Sequence, residues 1–137
     1  MSIFNLLYNH KIMTTTATKY FTPEEAKRTL PLVKKIVKDI LDTSFQISTI
    51  AEQMGPEAQE NPEVQKLIGD LNYFIRELEE IGCYYKDWNF SIGLVDFPSF
   101  IGEEEVYLCW RSDEEDILYY HGINEGYAGR KRIPAIY

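Results

Sequence analysis

The residues best suited to chemistry lie near the end of the chain, in the stretch HGINEGYAGRKR from His121 to Arg132. It contains one of the two histidines, three glycines and three consecutive cations. Glycines let backbone amides converge, and cationic side chains add charge-assisted hydrogen bonds, so the stretch predicts a loop that binds an anion. A turn with a solvated tail is the alternative, in which His121 is a hydrogen-bonded structural residue.

Asp96, in the stretch GLVDFP, is an acidic residue that we expect to be buried, because apolar residues flank it. A buried carboxylate needs hydrogen-bond donors or a cation, and Arg111 or Arg130 is the natural partner. We therefore predict that Arg130 folds back onto Asp96. As alternatives, Asp96 fixes a turn before Pro98, and Arg111 is a strand-end cation that pairs with neighbouring acids.

The stretch EVYLCWR, residues 105–111, decides which of these residues share a face of the sheet. Alternation places two sets on opposite faces: Val106, Leu108 and Trp110, against Tyr107, Cys109 and Arg111. If the SDEED turn that follows is centred on its middle residue, Tyr107 pairs with His121 and Cys109 with Tyr119. In that register Arg111 and His121 share a face, whereas a slip of one residue separates them.

Metal binding is a weaker hypothesis, with His121, Asp96 and Glu125 as the ligands. The chain contains no HxxH, HExxH or ExxH spacing, so the sequence identifies no cofactor. It contains no GxSxG motif either, which leaves open whether the protein is an enzyme. Cys83 and Cys109 show neither zinc nor redox spacing and are interpreted as two buried, reduced thiols.

Composition and charge limit the classes of function that this protein can have. The chain has 137 residues and a formal net charge of −8, which fits one domain and argues against nucleic acid as a partner. No apolar run reaches the roughly 18 residues of a membrane-spanning helix, so we expect no membrane partner and a cytoplasmic location. Residues 1–19 are predicted to be a flexible N-terminal extension, and residues 20–137 a single α+β domain.

Capping signals and apolar periodicity predict two helices. Thr22 to Glu25 carries a capping box and opens a helix over about 23–54. Asn61-Pro62 opens the second helix over about 62–81, which ends at Gly82 as a left-handed cap. The short link predicts an antiparallel helical hairpin, and the longer first helix must overhang whatever follows.

Runs of aromatic and β-branched residues predict three strands, at about 84–97, 105–111 and 117–123, with a turn from Pro98 to Gly102. The predicted fold class is therefore α+β, a long antiparallel helical hairpin followed by a three-stranded antiparallel β-meander.

Four stretches of the chain resemble the prokaryotic family DUF2203, a domain of unknown function. They are YFTPEEAKRTLPLVKKI at 20–36, GLVDFP at 93–98, LCWR at 108–111 and YYHGINEGYAGR at 119–130. Family members usually carry tryptophan where this chain has Tyr120, and often an acidic residue near Asn124. The resemblance implies a cytoplasmic, single-domain protein and brings no established reaction or ligand. The recurring family residues retained here are Asp96, Trp110, Arg111, His121, Gly126, Gly129 and Arg130.

These residues favour a non-enzymatic binding module for a small anionic ligand, or for the acidic end of a partner, on the sheet and its C-terminal glycine loop. The predicted ligand-binding residues are Asp96, Trp110, Arg111, His121 and Arg130. The alternative is a helical adaptor that self-associates through helix 23–54, because its apolar stripe is wider than one partner helix needs. A metal-dependent enzyme is the weaker alternative.

Overall fold

The computed structural model describes residues 18–135, so most of the predicted extension 1–19 lies outside the described residues. Helix α1 spans Pro23–Met54, a 3₁₀ turn covers Gly55–Glu60, and helix α2 spans Pro62–Ile81. Each helix begins and ends on the signals read from the sequence. Thr22 and Glu25 form the reciprocal capping box of α1, and Gly82 closes α2 in a left-handed conformation with φ of 108°.

The second half of the described chain forms one antiparallel sheet of five strands in sequential order. The strands are β1 (Tyr84–Tyr85), β2 (Leu94–Ile101), β3 (Glu104–Arg111), β4 (Tyr119–Gly122) and β5 (Lys131–Arg132). The fold class α+β is therefore confirmed. The three-stranded meander is wrong, because the predicted strand 84–97 is two strands and the short β5 adds a fifth.

Asp87 explains why the predicted strand 84–97 is interrupted. Its carboxylate accepts hydrogen bonds from the backbone N–H groups of Asn89, Ser91 and Ile92, at 3.1, 3.0 and 2.8 Å. An aspartate that binds the backbone ahead of it stabilises a turn in place of an extended strand.

The predicted turn from Pro98 to Gly102 is also wrong, since β2 continues through Pro98 to Ile101. Proline is tolerated here because β1 has already ended, at the pairing of Tyr84 with Asp96. The free carbonyl of Pro98 accepts a hydrogen bond of 2.7 Å from the N–H of Phe21, just ahead of α1.

The two faces of the sheet have different surroundings. One face packs into the same apolar core as both helices, through Val95, Phe97, Leu108 and Trp110. Residues of the first half of α1 belong to this core, and Lys34 donates a hydrogen bond of 2.8 Å to the carbonyl of Glu115 in the turn after β3. The opposite face, which we call the polar face, carries Asp96, Cys109 and His121. No helix among residues 18–135 is long and apolar enough to cross a membrane.

Candidate functional site on the polar face

Three buried side chains from three neighbouring strands meet on the polar face. Asp96 of β2 lies directly opposite Cys109 of β3, and His121 of β4 lies opposite Tyr107, two residues along β3. The exposed fractions of Asp96, Cys109 and His121 are only 4%, 1% and 4%. Their carboxylate, thiol and imidazole donor atoms all lie within 4.8 Å of one another. The predicted pairings of Tyr107 with His121 and of Cys109 with Tyr119 are both confirmed.

Both nitrogens of the His121 ring are engaged. Nε2 lies 3.1 Å from each carboxylate oxygen of Asp96, and Nδ1 lies 2.9 Å from the carbonyl oxygen of Gly122. Because both acceptors are oxygens, the doubly protonated imidazolium satisfies the two hydrogen bonds together. The hydrogen bond to Asp96, followed by that to Cys109, raises the pKa of His121 to about 10 against the opposing effect of burial. Asp96 and His121 therefore form a buried ion pair at neutral pH.

A cavity of about 290 Å³ opens onto this ion pair. Its lining combines the three buried side chains with residues from β2, β3, the segment after β1 and the C-terminal loop: Lys86, Leu94, Asp96, Tyr107, Cys109, His121, Ile123, Gly126 and Tyr127. Lys86 is an exposed cation at the rim, and its Nζ lies 5.7 Å from the centre of the Tyr107 ring. Burial, and after it the charge of Asp96, raises the pKa of the Tyr107 hydroxyl, which keeps it protonated.

Two arginines hold the loop that forms one wall of the cavity. Arg111 donates from Nε to Asp113 at 2.5 Å and from Nη1 to the hydroxyl of Tyr127. Arg130 pairs through Nη2 with Glu114, and its guanidinium carbon lies 4.0 Å from the centre of the Tyr119 ring. Nη1 of Arg130 is the one buried side-chain polar atom without a hydrogen-bond partner within residues 18–135.

The predicted contact between Asp96 and Arg130 is wrong, since Asp96 pairs with His121 and Arg130 with Glu114. The path of the loop decides this, because it brings Arg130 back to the turn after β3 and away from β2. The alternative interpretation of Arg111, a strand-end cation paired with neighbouring acids, matches its bond to Asp113.

The structure brings together some of the predicted site residues and separates others. Asp96 and His121 meet in the cavity, whereas Trp110 lies on the helix-facing side, 1% exposed, and donates from its ring nitrogen to the carbonyl of Glu114. Glu125, a predicted metal ligand, instead accepts a hydrogen bond of 2.8 Å from the N–H of Gly122.

Sequence reasoning missed Cys109, Lys86 and Tyr127 as site residues. Strand alternation predicts that Cys109 shares a face with Tyr107 and Arg111, so the sequence does indicate that it lies near the site. Lys86 and Tyr127 approach through turns whose paths no periodicity specifies.

Comparison with known proteins assigns the chain to a protein family. A family model described as "Uncharacterized conserved protein (DUF2203)" matches residues 19–133, so the chain belongs to this family, as the resemblance indicated. No curated protein and no solved structure matches the chain.

We expect the imidazole of His121 to remain protonated through neutral pH and to lose its proton near pH 10. The pKa of His121 in the unfolded chain is about 6.5. Because the folded value is higher, the stabilisation by the ion pair is fully present below about pH 6.5 and is lost as pH rises toward 10. Histidine ring NMR of the His10→Gln variant in chelator-treated buffer follows this single site. A midpoint near 6.5 contradicts the buried ion pair.

Proposed function

We propose that this protein is a non-enzymatic binding module whose cavity on the polar face holds a small anionic ligand. The observation that carries the proposal is the cavity itself. It lies between the sheet and the C-terminal loop, and buried polar side chains line it, whereas pockets that only fill packing defects are apolar.

The charges around the cavity favour an anion. Asp96 is neutralised by His121, so it presents little net negative charge to a ligand. Lys86 then adds a positive charge at the rim, and Arg111 holds the hydroxyl of Tyr127 in the wall. In a chain of net charge −8 this combination makes the cavity locally less acidic than the protein as a whole.

The same proposal includes the cellular compartment of the protein and the classes of its partners. Cys83 and Cys109 are both free and buried, which suits a reducing, cytoplasmic environment. The acidic charge of the chain gives no reason to expect nucleic acid or an anionic membrane as a partner.

Removing the rim cation should weaken anion binding. We expect Lys86→Gln to raise the dissociation constant for inorganic phosphate or succinate by about five- to tenfold, since an exposed charge-assisted hydrogen bond contributes about 1 kcal/mol. Isothermal titration calorimetry measures this, with Lys35→Gln as the matched control, because Lys35 is an exposed lysine on α1. Equal affinities of the two variants, or no binding of either anion to the unmodified protein, would exclude the proposal.

A second candidate function is self-association through α1, and one observation favours it. Phe45 is 73% exposed in the middle of the helix, so a large apolar side chain is available there for contact with another molecule. The exposed apolar stripe of α1 is narrower than the sequence predicts, however, because Ile36 is buried inside the monomer. We propose that a second copy of this chain packs against Phe45.

We expect Phe45→Ser to convert a dimer into a monomer in sedimentation equilibrium, because it removes the apolar centre of the contact. Tyr73→Ser is the matched control, since Tyr73 on α2 is 58% exposed and should leave the assembly unchanged. An unmodified protein that stays monomeric at high concentration removes this candidate.

A further inference from the structure

We propose that Asp96, Cys109 and His121 form a binding site for a divalent transition-metal ion of the zinc class. Each residue supplies one ligand atom of a different type: a carboxylate oxygen, a thiolate sulfur and an imidazole nitrogen. These atoms come from three adjacent strands and lie within 4.8 Å of one another. Ligands fixed on a sheet are held more rigidly than ligands on loops, so little rearrangement is needed to close them around an ion.

The environment of His121 supports this site. Metal-binding histidines usually donate their second ring N–H to a carbonyl or carboxylate, which fixes the ring and directs the other nitrogen to the metal. Here Nδ1 lies 2.9 Å from the carbonyl oxygen of Gly122, so Nε2 is the nitrogen directed at Asp96. The ion would replace the proton that Nε2 shares with Asp96.

The same geometry argues against Cys109, His121 and Asp96 as a nucleophilic triad. In such a triad, one ring nitrogen of the histidine contacts the nucleophile and the other contacts the orienting acid. Here the carbonyl of Gly122 occupies Nδ1, and Asp96 occupies Nε2. Because Gly122 and Asp96 already occupy the two ring nitrogens, the hydrogen bond of His121 with Cys109 has to share one of them, and the three groups converge on one point.

The packing of Cys109 supports the same conclusion. Cys83, the other free cysteine, belongs to the apolar core, and its thiol donates to the carbonyl of Leu78 at 3.5 Å. Burial raises the pKa of Cys83 to about 12, so this thiol is inert. Cys109 is equally buried, but it lines the cavity beside Asp96 and His121.

The ligand set selects the class of metal. Magnesium and calcium require oxygen ligands, whereas thiolate with imidazole favours zinc and its neighbours in the first transition series. Three protein ligands leave one position of a tetrahedral ion open, and the cavity of about 290 Å³ touches all three residues. A metal ion here would offer that open position to a small anion, although the metal site does not depend on the proposed anion binding.

Cobalt titration tests the site, because Co²⁺ substitutes for Zn²⁺ and absorbs strongly in the near ultraviolet when a thiolate binds it. We expect the metal-free, full-length protein to bind one Co²⁺ with this absorption and to release it when Zn²⁺ is added. Cys109→Ser should abolish the absorption and weaken binding by at least about tenfold, since even supporting residues of metal sites contribute that much.

Cys83→Ser is the matched control, because serine can keep the hydrogen bond to Leu78, and its cobalt spectrum should equal that of the unmodified protein. If Cys109→Ser does not fold by circular dichroism, the double variant Asp96→Leu with His121→Leu is the second test, because apolar side chains can replace a buried pair, and it should bind no Co²⁺. No thiolate absorption in the unmodified protein, or its loss in Cys83→Ser alone, overturns the proposal. The cobalt titration uses no anionic ligand, so the metal site and the anion site can fail separately.

Discussion

A carboxylate buried in a sheet must be paired, and the pairing of Asp96 with His121 organises the polar face of this protein. The register of β2 places Asp96 on this face, and its partner comes from another strand. His121 arrives from β4 because the turn after β3 sets the register between β3 and β4. The carbonyl of Gly122 then fixes the ring, which directs Nε2 toward Asp96 and leaves Cys109 beside the pair.

The helices and the arginines support this arrangement from opposite sides. The first half of α1 shares a core with the apolar face of the sheet, so the sheet can leave its polar face to a cavity. Over that cavity, the pairs of Arg130 with Glu114 and of Arg111 with Tyr127 hold the C-terminal loop. Arg111 and Arg130, which the sequence predicts as ligand-binding residues, therefore position the wall of the cavity. Lys86 is the cation at the rim of the cavity.

The sequence predicts much of this fold because several signals are local. Capping residues define both helices, and a short turn sets the register that joins Tyr107 to His121. The interruption at Asp87 could not be predicted, because aromatic residues on both sides of it imitate a continuous strand. The partner of Asp96 could not be predicted either, since it depends on the path of a glycine loop. Cys109 was on the predicted face, but a lone cysteine carries no signal until its neighbours are known.

A comparison of unfolding free energies tests most directly whether apolar side chains can replace the Asp96–His121 pair in the fold while the ligand site requires it. Asp96→Asn alone should lower the free energy of unfolding by about 3–5 kcal/mol, because removal of one partner breaks the buried pair. The double variant Asp96→Leu with His121→Leu should stay within about 1 kcal/mol of the unmodified protein, since apolar side chains can replace a buried ion pair. It should also bind neither Co²⁺ nor phosphate. A double variant as unstable as the single one, or one that still binds both probes, would contradict this view.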